Sequence, residues 1–224
     1  MKEGNSMLET YKVILFDLDG TISDPKIGIT KSVQYALKKM NIDEPDIDQL
    51  EHFIGPPLRL SFEQSYRFTT EQAMQAIGYY RERFEQKGMY ENVVYEGIPE
   101  LLATLKEQGY ILAIATSKPT VYAEEILRYF ELQHYFDFIG GSNLDETRSF
   151  KWEVIEYVMQ QFKQYTLEQF IMIGDRKYDI NGAKKMGIDS IGVTYGYGSL
   201  EELQAANANY IVNTVKELQD FFIK

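Results

Sequence analysis

The chain has 224 residues, 44% of them hydrophobic and 25% charged, with no cysteine and a formal net charge of −11. That describes a globule able to bury a sizeable core, and it excludes disulfides, thiolate metal sites and cysteine nucleophiles. The acidic balance argues against a nucleic-acid partner, whose phosphates attract surfaces rich in Lys and Arg.

The N-terminal stretch "MKEGNSMLETYK" is polar and has no apolar signal region. It reads as a lead-in in which Met7 is an alternative start, and the expected location is cytoplasmic. No apolar run approaches the ~18 residues of a membrane-spanning helix.

In chain order, the first element is the block Val13, Ile14, Leu15, Phe16, which runs straight into Asp17 and Asp19. A short continuous apolar run predicts a strand buried on both faces, as in a parallel sheet. Residues 23–94 then show helical patterns and no convincing strand. Ile29, Val33, Ala36, Leu37 and Met40 share one helical face, and Ala73, Ile77, Tyr80 and Phe84 share another. Between these faces "IGPPLRLSF" marks a rigid Gly-Pro-Pro turn followed by Arg59.

After residue 94 strands and helices alternate. Pro99 and Gly109 bracket a helix in the expected asymmetry. Apolar blocks at 109–117, 170–175 and 190–196 predict three more strands, with weaker ones at 136–142 and 209–213. Helical patterns fill the gaps at 119–130, 150–162 and 179–187. The expectation is an α/β fold with a Rossmann-like parallel sheet in residues 8–22 and 95–224, and an inserted all-helical cap domain in residues 23–94.

In an open parallel sheet, ligands sit beyond the carboxyl ends of the strands. Asp17 and Asp19 end the first strand, Thr116 and Ser117 the second, and Asp175 a third, with Asp179 a helical turn later. Lys151 lies near a predicted helix start. Several carboxylates share a pocket only when a cation or protons compensate them, and a hard divalent ion such as Mg²⁺ suits oxygen ligands. Carboxylates, Mg²⁺, a lysine and hydroxyls together describe phosphoryl transfer. Asp17 and Asp19, two residues apart on an extended chain, point the same way and can address one substrate.

"DLDGT" at 17–21, "ATS" at 115–117, Lys151 and "GDRKYD" at 174–179 resemble, in order and context, the four signatures of the haloacid dehalogenase superfamily. "SKPT", "GSNLDETRSFK" and "GDRKYDI" resemble its phosphoglycolate-phosphatase-like and 5′-nucleotidase-like branch, and the insert resembles its helical cap. The resemblance implies that Asp17 is the nucleophile of an aspartyl-phosphate mechanism and Asp19 the acid/base. It implies that Asp17, the Asp19 carbonyl and Asp175 bind Mg²⁺, with Asp179 behind them. Gly20, Thr116, Ser117 and Lys151 would serve the phosphoryl group, and Arg59 or its loop would touch the substrate.

The resulting expectation is a Mg²⁺-dependent phosphatase acting on phosphoglycolate or a nucleoside monophosphate, as a monomer or weak homodimer. A phosphosugar mutase of the same fold is the alternative, and a phospho-signalling or phosphate-binding module is a distant one. "DLDGT" is not an EF-hand loop, because glycine stands fourth and a strand precedes it. "GYGSLEE" at 196–202 lacks the third glycine of a dinucleotide fingerprint. His52, His134 and Trp152 have no partner pattern and read as structural or surface residues.

Overall fold

A computed structural model describes residues 10–223; the lead-in and Met7 lie outside the described residues. Strand β1 (Val13–Phe16) leads to the two-residue strand β2 (Ser23–Asp24), then helices α1 (Lys26–Lys39), α2 (Leu58–Tyr66) and α3 (Thr70–Arg83), then the two-residue strand β3 (Val93–Val94). The remainder alternates: α4 (Ile98–Glu107), β4 (Ile111–Pro119), α5 (Thr120–Tyr129), β5 (Phe138–Ser142), α6 (Lys151–Met159) and β6 (Phe170–Gly174). The chain then adds α7 (Lys177–Met186), β7 (Asp189–Val193), α8 (Leu200–Ala205), β8 (Tyr210–Val212) and α9 (Val215–Phe222).

Six strands form one sheet in the order β5-β4-β1-β6-β7-β8, with every pairing parallel. The fold is therefore α/β with a Rossmann-like core. β1 is central, and its side chains alternate between two buried clusters. Val13 and Leu15 join Val154, Ile155 and Ala183 of α6 and α7, whereas Ile14 and Phe16 join Leu101, Ile126 and Leu218 on the other face. Burial on both faces is why the strand reads as an unbroken apolar run. From β1 the chain builds outward through β4 and β5, then crosses back to β6 on the other side. The β1/β6 boundary is thus the switch point of the sheet, where strand ends splay and leave a crevice.

Within residues 23–94, the expectation of no strand is corrected. β2 and β3 pair antiparallel, Ser23 opposite Val94 and Asp24 opposite Val93, so departing and returning chain meet in a short ribbon. Strands of two residues carry no detectable periodicity. The helical faces are as expected: Ile29, Val33, Ala36, Leu37, Ala73, Ile77, Tyr80 and Phe84 are all buried, and Met40 packs partly buried beside them. α3 opens on a capping box between Thr69 and Gln72, two orphan donors satisfied reciprocally. The apolar cluster of these helices is continuous with that of one sheet face. α2, α8 and α9 add helices that the sequence reading did not delimit.

Candidate active site

The site is built where strands stop. Asp17 is the first residue beyond β1, and its N–H still donates to Ile173 O of β6 at 2.9 Å. Asp175 follows β6 directly, and Asp179 lies in the first turn of α7. Thr116, Ser117 and Lys118 occupy the last stretch of β4, where its register with β5 shifts between Ala115 and Pro119. Lys151 is the first residue of α6.

These residues converge. Lys151 Nζ lies 2.8 Å from Asp17 Oδ1 and 2.8 Å from Asp179 Oδ1, and donates to Ala115 O at 3.1 Å. Leu18 N–H donates to Asp17 Oδ1 at 2.7 Å. Lys118 Nζ meets Asp19 Oδ2 at 2.9 Å and sits 4.6 Å from the Phe84 ring centroid, a cation over an aromatic face. Tyr197 N–H donates to Asp175 Oδ2 at 2.7 Å.

Glycine makes the Asp175 pocket possible. Gly20 has φ +81°, and a Cβ there would stand 2.2 Å from Asp175 Oδ2. A Cβ on Gly196 would stand 2.4 Å from Asp175 Cβ and 2.2 Å from Gly20 O. Any larger residue at either position collides with the carboxylate or its surroundings.

Among the described residues, the buried charged side chains are Asp17, Asp19, Asp175 and Asp179 against Lys118 and Lys151. Four negative charges face two positive ones, leaving an excess of two, the charge of one divalent cation. The electrostatics register that excess. Burial pushes the Asp175 carboxyl well above the usual range, and Asp179 and Asp17 add to the rise. Asp179 is raised to about 6 because burial outweighs the attraction of Lys151. Burial also raises Asp19 against the opposing pull of Lys118. For Lys151, burial works against the ammonium, but Asp17 and Asp179 prevail and hold it protonated.

Asp17, Asp175 and Asp179 each place one oxygen within 4.8 Å of the others, and Asp175 Oδ1 is buried without a protein hydrogen bond. A hard cation gathers oxygens about 3–4 Å apart, so the donor set fits such an ion. The Asp19 carboxylate stands outside this triad, committed to Lys118; its expected metal contact runs through the main-chain carbonyl.

A cavity of about 60 Å³ opens onto Asp17, Asp19, Thr116, Ser117 and Lys118. A water needs roughly 10–15 Å³ by this measure, so the space suits a phosphoryl group with a few further atoms. Gly55, Pro56, Pro57 and Leu58 line it from the insertion, as do Tyr80 and Phe84. Arg59 does not line it: its Nη1 is held 3.0 Å from Glu63 Oε1, one turn along α2. Arg81 of α3 does, paired at 2.9 Å with Glu146. Gly20 turns the chain beneath Asp175 and is not part of the lining.

A haloacid dehalogenase-like hydrolase family model matches residues 14–193. The chain belongs to that family. It is 51% identical over 195 residues to a 5′-nucleotidase of Pseudomonas aeruginosa, covering 87% of this chain and 88% of the relative. It is 33% identical over 221 residues to the tyrosine-protein kinase PtkA of Mycobacterium tuberculosis, covering 98% and 75%. Among solved structures, a predicted phosphatase from Clostridium acetobutylicum superposes with a TM-score of 0.92 at 53% identity, covering 94% of this chain and 97% of that one.

As a haloacid dehalogenase-like hydrolase, the chain carries its four resembling signatures where the switch point gathers them. Sequence reasoning missed Lys118, Arg81, Glu146 and the Tyr197 main chain. Only Lys118 left a signal, two residues beyond Thr116 on an extended strand and so on the same side. His52 bonds Ser65 Oγ at 2.7 Å, His134 packs on Tyr135, and Lys185 covers the Trp152 ring, all away from the cavity.

Proposed function

We propose that the chain is a Mg²⁺-dependent phosphatase that hydrolyses a small phosphate monoester through a transient phosphoryl group on Asp17. The carrying observation is the buried set of four carboxylates and two lysines at the sheet's switch point. Phosphoglycolate and nucleoside monophosphates are the two candidate substrate classes under this reading.

Asp17 Oδ1 is held by Lys151 and the Leu18 N–H, which leaves Oδ2 as the attacking oxygen. The Asp17–phosphorus bond forms as the bond to the leaving oxygen breaks. Asp19, whose burial makes it hold a proton more strongly than a free aspartate, delivers that proton to the leaving oxygen. It then takes a proton from water as the water oxygen attacks phosphorus, releasing phosphate and restoring Asp17.

Lys118 and Lys151 oppose the charge on the phosphoryl oxygens. The Thr116 hydroxyl accepts from the Lys118 N–H at 3.2 Å, so its own proton is free to donate to the phosphoryl group. Asp17 and Asp175, steadied by Asp179, would hold Mg²⁺, with the Asp19 carbonyl completing the protein's share. When bound, that ion would supply positive charge to phosphoryl oxygens and align the ester.

The test is a panel of phosphate esters with purified protein, with and without Mg²⁺, scored for released inorganic phosphate. Phosphate release only with Mg²⁺ is expected. Return of the phosphoryl group to a sugar phosphate would establish the mutase instead, and no turnover of any ester would end the reading.

A further inference from the structure

The cavity carries a second charged feature that phosphoryl chemistry does not use. Arg81, on α3, and Glu146, in the loop after β5, both line it and form an ion pair at 2.9 Å. Their side chains are 22% and 13% exposed, so the pair is largely withdrawn from water. Glu146 adopts φ +64° and Arg148, two residues on, φ +51°, both left-handed without being glycine. Such conformations persist where the surroundings enforce them.

The enforcement is visible. Asn143 and Thr147 close the loop with a main-chain bond of 3.1 Å, and Asp145 Oδ1 accepts from Thr147 N–H at 3.0 Å. Arg148 donates to Gly141 O at 2.8 Å and to Asn143 at 2.9 Å, and lies over the Tyr157 ring. The loop thus presents one carboxylate to the cavity in a fixed pose.

We propose that the Arg81–Glu146 pair sets the substrate class, selecting phosphate monoesters whose leaving group is neutral and hydrogen-bonding over those whose leaving group bears a carboxylate. The inference rests on the phosphatase reading above. A paired guanidinium and carboxylate still have donor and acceptor capacity for hydroxyl or amide groups. They offer no net charge to an anion. A substrate carboxylate that takes a free N–H of Arg81 stands beside the Glu146 carboxylate, and two anions sharing one cation in a partly buried wall repel each other. Glu146 already resists ionisation through burial, with Arg81 and Arg59 the charges that oppose this. The aromatic walls of Phe53, Tyr80, Phe84 and Tyr122 suit the uncharged remainder of such a leaving group.

A matched pair of esters tests this: 2-phosphoglycolate and 2-hydroxyethyl phosphate, which differ in carboxylate against hydroxymethyl. The wild-type protein with Mg²⁺ should favour 2-hydroxyethyl phosphate in kcat/KM by about tenfold or more, the scale of one charged hydrogen bond. Glu146→Gln, which frees Arg81, should move that ratio toward phosphoglycolate by about tenfold. Adding Arg81→Gln to Glu146→Gln should return the ratio close to the wild-type value, because the freed guanidinium is gone.

A wild-type preference for phosphoglycolate overturns the proposal, as does an unmoved ratio in Glu146→Gln. A shift that survives in the double variant overturns it too, by showing a diffuse charge effect rather than capture by Arg81. Hydrolysis of both esters with an indifferent ratio defeats this inference alone, whereas failure to hydrolyse any phosphate ester defeats the phosphatase reading beneath it.

Discussion

Lys118 Nζ stands 2.9 Å from Asp19 Oδ2, with both residues buried and the Phe84 ring closing over the ammonium. This pair lies across the cavity from nothing in its own sequence neighbourhood: Phe84 belongs to the helical insertion, and Asp19 follows the central strand. Lys118→Met would strand the Asp19 carboxylate without its cation. Removing one member of a buried pair costs about 3–5 kcal/mol. The variant should unfold at lower urea and lose about 10²-fold or more in kcat on an aryl phosphate. Adding Asp19→Asn should recover much of the stability and none of the activity.

Asp17→Asn keeps the shape of the side chain and removes the attacking charge. Its turnover of an aryl phosphate should fall by about 10³-fold or more while its circular dichroism stays native, because Asp179 keeps Lys151 paired. Asp19→Asn should instead accumulate a phosphorylated protein, visible as the mass of one added phosphoryl group on Asp17. Full activity in Asp17→Asn would rule out the covalent route.

Asp175 is fully buried, with one oxygen unpaired and an excess of negative charge around it. Without a divalent ion it is a source of repulsion. Asp175→Asn should therefore be more stable than wild type in chelator, by about 1–2 kcal/mol, which corresponds to one or more pKa units of relieved penalty. In Mg²⁺ the order should reverse, since wild type gains binding energy that the variant lacks. Equal unfolding midpoints for the two proteins in both buffers would contradict this arrangement of charges.

Burial, with that repulsion added, also sets a pH dependence. Burial raises Asp179 to about 6 in the folded chain and raises Asp175 as well, against about 3.9 for an unfolded aspartate. A raised carboxyl means the folded state binds more protons, so these groups favour folding at low pH. That contribution is lost as pH rises from about 4 through 6. Urea titrations in chelator should show the stability contributed by these groups falling as pH rises across that window. Saturating Mg²⁺ should flatten the slope, because the ion replaces the protons.

Much of this site was legible in the chain. Asp17, Asp19, Thr116 and Asp175 stand where apolar runs break into polarity, and a parallel sheet brings such breaks to one edge. Lys151 and Asp179 stood out through the resemblance of their segments to the family signatures, beside predicted helix starts. What escaped depends on contacts made by distant residues. Lys118 shares the side of Thr116 on its strand, but its partners Asp19 and Phe84 come from distant segments. Arg81 and Glu146 are 65 residues apart and meet only because α3 docks beside the loop after β5. Arg59 drew attention beside its Pro-Pro turn, but α2 begins at Leu58 and places Glu63 within its reach. The β2 and β3 ribbon is too short to leave any periodic trace.

That ribbon has a consequence for how such a protein can change. Ser23 and Val94 sit opposite each other, so the chain exits and re-enters the sheet region through a single narrow doorway. Segments whose ends lie side by side are those a fold tolerates replacing. The stretch between them supplies Phe53, Tyr80, Arg81 and Phe84 to the cavity, while the carboxylates and lysines all lie outside it. Much of the cavity wall therefore sits in a different tract of sequence from the buried carboxylates and lysines, and selection can rewrite that wall from one side while leaving those charges untouched.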